Sequence, residues 1–299
     1  MSRSPLPFIR ISLVAIASSI GPQARVAFAQ AAPAIDSSAS IRTALVPDSP
    51  RLDDATSHVD KTLFTRHDLA AAGIAVVASA TVSVFDKRIA NWTRSPSVQG
   101  DASRHDFVKS LTVINEQPLT IGAFAVYGVG RLAGWNTVAD VGLHTTEALL
   151  LTVGVSEAIR GPLGRSRPRV SPNDQYDFSF WGGFTDFGKR SYPSIHAAVA
   201  FATASALTSE IHERNPGANV WAAPLLYAGA LVPGFTRMYL DQHWASDVVA
   251  GAFTGALLGT KVVRYAHSHR KNSLDRWLLG TTIAPNPMGG ALVMRSIDW

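Results

Sequence analysis

The chain has 299 residues and a formal net charge of +5 at pH 7, yet only 16% of its residues are charged and 46% are hydrophobic. It contains no cysteine, which excludes disulfides, thiolate nucleophiles and thiolate metal sites. The positive charge suits an anionic substrate or an anionic membrane surface. No nucleic-acid partner is expected, because no basic stripe or nucleic-acid-binding motif accompanies the charge.

The N-terminus carries the pattern of a secretory signal peptide. A basic start, MSRSPLPFIR, precedes the apolar run ISLVAIASSI, and Ala27-Phe28-Ala29 offers a small-x-small cleavage site. We therefore expect residues 1–29 to be a signal peptide and the mature protein to be exported to a bacterial-type periplasm. Because the apolar run is about half the ~20 residues of a spanning helix, an uncleaved anchor is the alternative. Residues 30–66 lack periodicity, which predicts a flexible N-terminal arm.

An all-α helical bundle is predicted for residues 67–270. The helical segments are expected at 69–85, 105–115, 118–133, 139–159, 196–211, 219–232 and 244–266, and Pro233 is expected to end the sixth. Residues 271–299 form a C-terminal extension. Its weak alternation, broken by prolines and glycines, predicts a short terminal hairpin.

The uninterrupted helical segments look short for a bilayer. Only 13 residues separate His196 from Glu210, against the ~17 to 25 of a membrane span. A water-soluble bundle is therefore expected, with peripheral or integral membrane association as the alternative. Gly251, Gly255 and Gly259 let another helix approach closely, which favours tight packing inside the bundle over a membrane dimer face. No oligomeric state follows from this spacing.

Three short blocks carry the residues that indicate chemistry. They are Arg160 with Arg167-Pro168, then Pro193-Ser194-Ile195-His196, then Thr236-Arg237 followed by His243 and Asp247. Arginine binds tetrahedral oxyanions through several fixed donors, and histidine can attack phosphorus or protonate a leaving oxygen near neutral pH. The blocks predict an enzyme that acts on phosphate esters. Since arginines can neutralise the oxygens as metals do elsewhere, neither a metal nor another cofactor is expected.

Each residue of the two histidine blocks has a candidate role. Asp247 follows His243 by four residues and shares its helical face, so its carboxylate can fix the imidazole tautomer and leave the other nitrogen to attack phosphorus. Ser194 is positioned as an N-cap, and the open amides beyond it, beginning with Ile195, can bind phosphate. His196 would protonate the leaving group. Without the other blocks, His243 and Asp247 would be interpreted as a surface ion pair, and Ser194 as an ordinary helix cap followed by a solvated histidine.

In these blocks the chain resembles the type 2 phosphatidic acid phosphatase superfamily, which includes bacterial acid phosphatases and vanadium haloperoxidases. The family's signature is Lys, six residues, Arg-Pro; Pro-Ser-Gly-His; and Ser-Arg, five residues, His, three residues, Asp. Every spacing within the blocks is preserved here. The resemblance implies a helical core, a phosphohistidine on His243 and metal-independent hydrolysis. It also implies a phosphate site formed by Arg160, Arg167, Ser194 and Arg237.

Three residues depart from that signature: Arg160 replaces lysine, Thr236 replaces serine and Ile195 replaces glycine. The first two keep the charge and the hydroxyl. Ile195 is the serious departure, because a β-branched residue does not readily adopt glycine-only backbone angles and crowds the phosphate. If Ile195 is helical, its amide still points towards the site.

Alternatives to a phosphatase remain open at this point. A vanadate-dependent haloperoxidase would use a related pocket with vanadate as its cofactor, and a non-catalytic member would bind phosphate or lipid only. Aromatic residues between the first two blocks could line a mouth for a lipid chain or pack as a loop onto the bundle: Tyr176, Phe178, Phe180, Trp181 and Phe184. The expected substrate is a phosphorylated small molecule or lipid.

Overall fold

The computed structural model describes residues 65–269 and two strands of the C-terminal extension. The described fold is all-α apart from these strands, as predicted. Strands β1 (Thr281–Pro285) and β2 (Ala291–Arg295) pair antiparallel, with Thr281 opposite Arg295, which confirms the terminal hairpin. The predicted signal peptide lies outside the described residues, as does the predicted arm as far as residue 64.

Nine α-helices make up the described bundle. They are α1 (Arg66–Ser83), α2 (Asp86–Thr93), α3 (Pro96–Gln99), α4 (Ala102–Ser110), α5 (Glu116–Ala133), α6 (Asn136–Leu163), α7 (Ile195–Arg214), α8 (Pro216–Tyr239) and α9 (Ala245–Ser268). Short 3-10 turns lie at Leu111–Val113, Gly182–Phe184 and Phe187–Lys189.

The six long helices alternate in direction, so that helix starts and helix ends meet at two ends of the bundle. At one end, Ser79 near the end of α1 donates to the carbonyl of Ser246 at the start of α9. At the other, Lys261 in the second half of α9 pairs with Asp68 at the start of α1. We call these the site end and the far end, because all three sequence blocks lie at the first.

Helices α7 and α9 pack almost backbone to backbone through the glycine stripe. A Cβ added to Gly251, Gly255 or Gly259 would lie 2.3, 1.9 or 2.4 Å from a carbonyl oxygen of α7 or its cap. Small residues permit this approach, and any side chain would force the helices apart. The stripe therefore packs inside the chain.

Two local expectations were wrong. Helix α8 continues through Pro224 and Pro233 to Tyr239, although proline removes a backbone donor. Packing of α8 side chains around Ala230 onto α7 outweighs that loss. Helices α2 and α3 were not predicted, because both are short and α2 is mostly polar.

The length argument for a water-soluble bundle was also wrong. Glu210 and Lys261 lie inside α7 and α9 rather than at their ends, because each pairs with a group on a neighbouring helix. Helices α6, α8 and α9, of 28, 24 and 24 residues, are long and apolar enough to cross a membrane, and α1 with α2, bent by 61°, would make a fourth span. By length and composition these helices support membrane association.

Alanine substitutions should separate the packed glycines from the free ones. Gly255→Ala should destabilise the protein by about 1–3 kcal/mol, since its Cβ meets backbone that cannot rotate away. Gly154→Ala on α6 should be neutral or stabilising by up to about 1 kcal/mol, because its Cβ meets nothing within 4 Å and alanine favours helix. Thermal unfolding of the purified variants measures both. Equal effects would show that the α7–α9 contact is not tight.

Candidate active site

His243 lies in the turn between α8 and α9 and is 2% exposed. Its Nδ1 donates to the carbonyl of Ser191, with 2.7 Å between the two atoms. The opposite nitrogen, Nε2, is buried and has no hydrogen-bond partner among the described residues. A hydrogen on Nδ1 leaves a lone pair on Nε2, so the ring presents a nucleophilic atom.

Asp247 lies beside His243 but makes its close contacts elsewhere. Its Oδ2 is 3.7 Å from Nδ1 of His243, whereas the carboxylate accepts from the Ser191 hydroxyl at 2.5 Å and from the Trp244 amide at 2.8 Å. The difference from the sequence-based role has a local cause: as the third residue of α9, Asp247 caps the helix start. Ser191 holds the ring, and Asp247 holds Ser191.

A buried network of charged side chains holds Asp247 in place. Arg165 donates to Asp247 Oδ1 at 2.6 Å and to Asp86 Oδ2 at 2.8 Å, and both carboxylates are fully buried. Asp86 also accepts from the backbone amide of Ser246. The network links α2, the segment after α6, and α9. Arg165 is not among the residues predicted from the three blocks, and nothing near Asp86 in the sequence signals its partner.

His196 lies in the first turn of α7, facing His243 with 6.0 Å between the ring centroids. Its Nε2 is 3.5 Å from a carboxylate oxygen of Glu116 at the start of α5. Burial, together with the positive charges of Arg237, Arg160 and Arg167, lowers the pKa of His196 well below its ordinary value. The structure thus brings both predicted histidines together and adds Glu116, which the sequence analysis did not identify because it lies outside the three blocks.

The three predicted phosphate-binding arginines converge on the histidines. Arg160 is buried and donates to the carbonyl of Arg190, while Arg167 donates to Gln242 at 2.5 Å and stacks on the Phe187 ring. Burial, together with the charges of Arg160, Arg169 and Arg237, lowers the pKa of Arg167 to about 10. Arg167 is still cationic at neutral pH. A desolvated cluster of like charges favours a bound anion.

Burial also sets the charge of His243. It lowers the pKa of this imidazole to about 4, with Arg167 and Arg160 acting in the same direction and Asp247 acting in the opposite one. The ring is therefore neutral at physiological pH. A neutral ring is the form that has a lone pair to donate.

The second block forms the start of α7, as the sequence predicted. Ser194 caps the helix, accepting from the Ala197 amide at 3.5 Å, and its own amide donates to the carbonyl of Asp247. Ile195 is the first helical residue and packs its side chain into an apolar cluster with Leu149 and Val199. It does not need glycine-only angles, so its amide stays at the open helix start.

In the third block, the hydroxyl of Thr236 is directed into its own helix and not towards the site. The Thr236 side chain donates to the carbonyl of Val232 within its own helix at 2.8 Å. Arg237, the next residue, is partly buried at the end of α8. Serine and threonine at this position therefore differ in the packing of a methyl group, rather than in a contact with the anion.

Exposed aromatic side chains surround the site on the segment between α6 and α7. Trp181 stacks on Phe184, and Phe187 lies over Arg167. We call this group the aromatic rim; its members are 39% to 75% exposed and are Tyr176, Phe178, Phe180, Trp181, Phe184 and Phe187. The rim places apolar surface beside a phosphate-sized anion site.

Comparison with known protein families identifies the arrangement. The PAP2 superfamily matches residues 142–271, a range that contains all three blocks and every predicted site residue. This part of the chain is similar to members of the PAP2 superfamily. The arginine cluster and both histidines lie within the matched residues.

Two curated relatives of this chain are named as lipid A phosphatases. The Lipid A 1-phosphatase of Porphyromonas gingivalis is 33% identical over 114 residues, which cover 33% of this chain and 25% of the relative. The Lipid A 4'-phosphatase of Bacteroides thetaiotaomicron is 29% identical over 132 residues, which cover 42% of this chain and 56% of the relative. The matches thus span a quarter and just over half of these relatives.

A solved structure also matches. It is the transmembrane PAP2 type phosphatidylglycerolphosphate phosphatase from Bacillus subtilis, at 19% identity and a TM-score of 0.31, with 62% of this chain and 93% of that one covered.

The buried Arg165 network should be essential for stability. Arg165→Leu leaves two buried carboxylates without their cation and should cost about 3–5 kcal/mol. Arg169→Leu is the matched control: Arg169 is exposed, so its loss should change stability by about 0.5 kcal/mol or less. Thermal unfolding compares the two. Similar melting temperatures would show that the network contributes little.

Proposed function

We propose that this chain is a lipid phosphate phosphatase that works through a phosphohistidine on His243 and needs no metal for the reaction. One observation carries the proposal: a buried, neutral imidazole with a bare Nε2 faces a second histidine inside a cluster of arginines. A nucleophile, an acid and an anion clamp are the three parts that phosphoryl transfer requires.

In the first step, Nε2 of His243 attacks phosphorus. The new N–P bond forms as the bond from phosphorus to the leaving oxygen breaks, and that oxygen takes a proton from His196. Arg160, Arg167 and Arg237 stabilise the charge on the remaining phosphate oxygens, together with the open amides of Ile195 and His196. Burial and the arginines disfavour the protonated form of His196, and the negative charges of the bound phosphate and of Glu116 act against them.

In the second step, water hydrolyses the phosphohistidine. His196, now neutral, accepts a proton from the water as its oxygen attacks phosphorus. The N–P bond breaks, its electron pair returns to Nε2, and inorganic phosphate leaves. Asp247 and the Ser191 carbonyl hold the ring through both steps, since the imidazole becomes positively charged on attack.

A phosphorylated lipid is the preferred substrate class. The aromatic rim offers apolar contacts beside the arginines, and aromatic side chains are enriched at membrane interfaces. The candidate spans support a location in or at a bilayer. Both curated relatives are named for lipid A, so a phosphorylated glycolipid is the first substrate to test. With the predicted signal peptide, the proposed location is the periplasmic side.

The decisive test compares phosphate release by the full chain and its His243→Ala variant. Lipid A, phosphatidic acid, isoprenoid diphosphates and soluble monoesters form the panel, with EDTA in the assay. We expect turnover of at least one lipid phosphate, reduced about 10³-fold or more in the variant because the nucleophile is lost. His212→Ala, at an exposed position on α7, is the control.

The other outcomes identify the alternatives. Turnover that requires added vanadate and halide would indicate a haloperoxidase. Phosphate binding without turnover across the panel would indicate a non-catalytic member. Preference for soluble esters would remove the lipid assignment while retaining the phosphatase.

The dependence of kcat/KM on pH should show that burial lowers the pKa of His243. Since protonation of Nε2 removes the lone pair, kcat/KM should fall as the pH drops through about 4, well below the ordinary histidine range. The phosphate of the substrate titrates near pH ~6 and gives a separate bend. Two substrates whose phosphates differ in their second pKa distinguish the two bends. The bend that comes from the substrate phosphate moves between the substrates, and the bend that comes from His243 does not. An enzyme bend near pH ~6.5 would show that the imidazole is solvated.

A further inference from the structure

A second cluster of ligand-type side chains lies at the far end of the bundle. His144 on α6, Glu210 on α7 and His267 on α9 direct one ligand atom each towards a common point, and these atoms lie within 4.8 Å of one another. His144 Nδ1 is 2.5 Å from one oxygen of Glu210, and His267 Nε2 is 3.1 Å from the other.

This cluster is well separated from the phosphate site. His144 lies 16 residues before Arg160 on α6, and His267 lies 20 residues after Asp247 on α9. At about 1.5 Å of rise per residue, the two sites are roughly 24–30 Å apart along the helices. The proposed reaction does not use any of the three residues.

We propose that His144, Glu210 and His267 form a structural binding site for a divalent transition-metal ion of the zinc type. Two imidazoles and one carboxylate are a ligand set that zinc accepts, with water in the fourth position. Zinc at about 2.0–2.1 Å from each ligand holds the ligand atoms roughly 3.3 Å apart. The observed spacings bracket that value, so small side-chain rotations suffice.

Burial strengthens the assignment. His144 and Glu210 are 4% and 1% exposed, and a buried carboxylate is costly unless cations or donors surround it. A divalent ion would supply that charge and would link three helices that are distant in the sequence. Its removal should loosen the far end without touching the phosphate site.

One cation already contacts the cluster. Arg214 pairs with Glu210, so the metal and this guanidinium would compete for the same carboxylate. Arg214 has a second acceptor, because its Nη2 lies 3.4 Å from Asp140, and its side chain is 28% exposed and can move. Metal binding therefore requires Arg214 to shift towards Asp140, without leaving its charge unpaired.

The test measures metal rather than activity. The full chain, purified in detergent without a metal-affinity tag and stripped with chelator, is titrated with Zn²⁺ and with Co²⁺. We expect one ion per chain, a visible Co²⁺ spectrum of the tetrahedral type, and a higher melting temperature with Zn²⁺. His267→Gln and Glu210→Gln should each weaken binding by at least about 100-fold.

Two controls define the site. His212→Ala, an exposed histidine on the same helix as Glu210, and His243→Ala, in the phosphate site, should both leave metal affinity unchanged. If Glu210→Gln does not fold, the wild-type stoichiometry and His267→Gln decide. Binding well below one ion per chain, or equal affinity in His267→Gln and wild type, overturns the proposal and leaves a hydrogen-bonded His-Glu-His clamp.

Discussion

The close approach of α7 and α9 is the constraint on which the rest of the structure depends. His196 and Asp247 lie in the first turns of these helices and His243 in the turn just before α9, so the helix separation sets the distance between both histidines. The separation is small because α9 has no side chain at the three glycine positions that face α7. One consequence is the hydrogen bond from the Ser194 amide to the Asp247 carbonyl, which joins the two helix starts directly.

The arginines repel one another, and the helix ends hold them together despite this repulsion. Arg160 and Arg167 are both 3% exposed, and water screens little of their mutual repulsion. Neighbouring acceptors such as the Arg190 carbonyl, Glu157 and Gln242 offset part of it. The remainder favours an anion between them. Burial is the main cause of the lowered pKa of His243, and the charges of Arg167 and Arg160 act in the same direction, so the arginines that would bind phosphate also favour the neutral imidazole.

The sequence predicted the parts of this site that depend on short-range spacing. The three blocks fall at helix ends, and the helix after Ser194 begins where the cap requires. Contacts between distant residues could not be predicted: Asp86 meets Arg165 across 79 positions, and Glu116 reaches His196 from another helix. The sequence also could not show that Ile195 avoids glycine-only angles and crowding of the phosphate, because its helical backbone and its side-chain direction depend on tertiary packing. The prediction that Pro233 ends its helix was wrong for the same reason, since tertiary packing carries α8 on to Tyr239.

The two ends of the bundle differ in a way that suits a lipid substrate. Only 17% of the most apolar stretch of helix α8 is buried. Its exposed side chains include Val220, Trp221 and Leu225, an apolar surface that acyl chains would cover more favourably than water. At the site end, the aromatic rim separately offers apolar surface beside the arginines, where a headgroup phosphate would lie. A lipid could then keep its chains in the bilayer while its phosphate reaches His243. A soluble ester would bind the arginines equally well but would gain nothing from the rim, so the lipid assignment rests on the rim rather than on the catalytic residues.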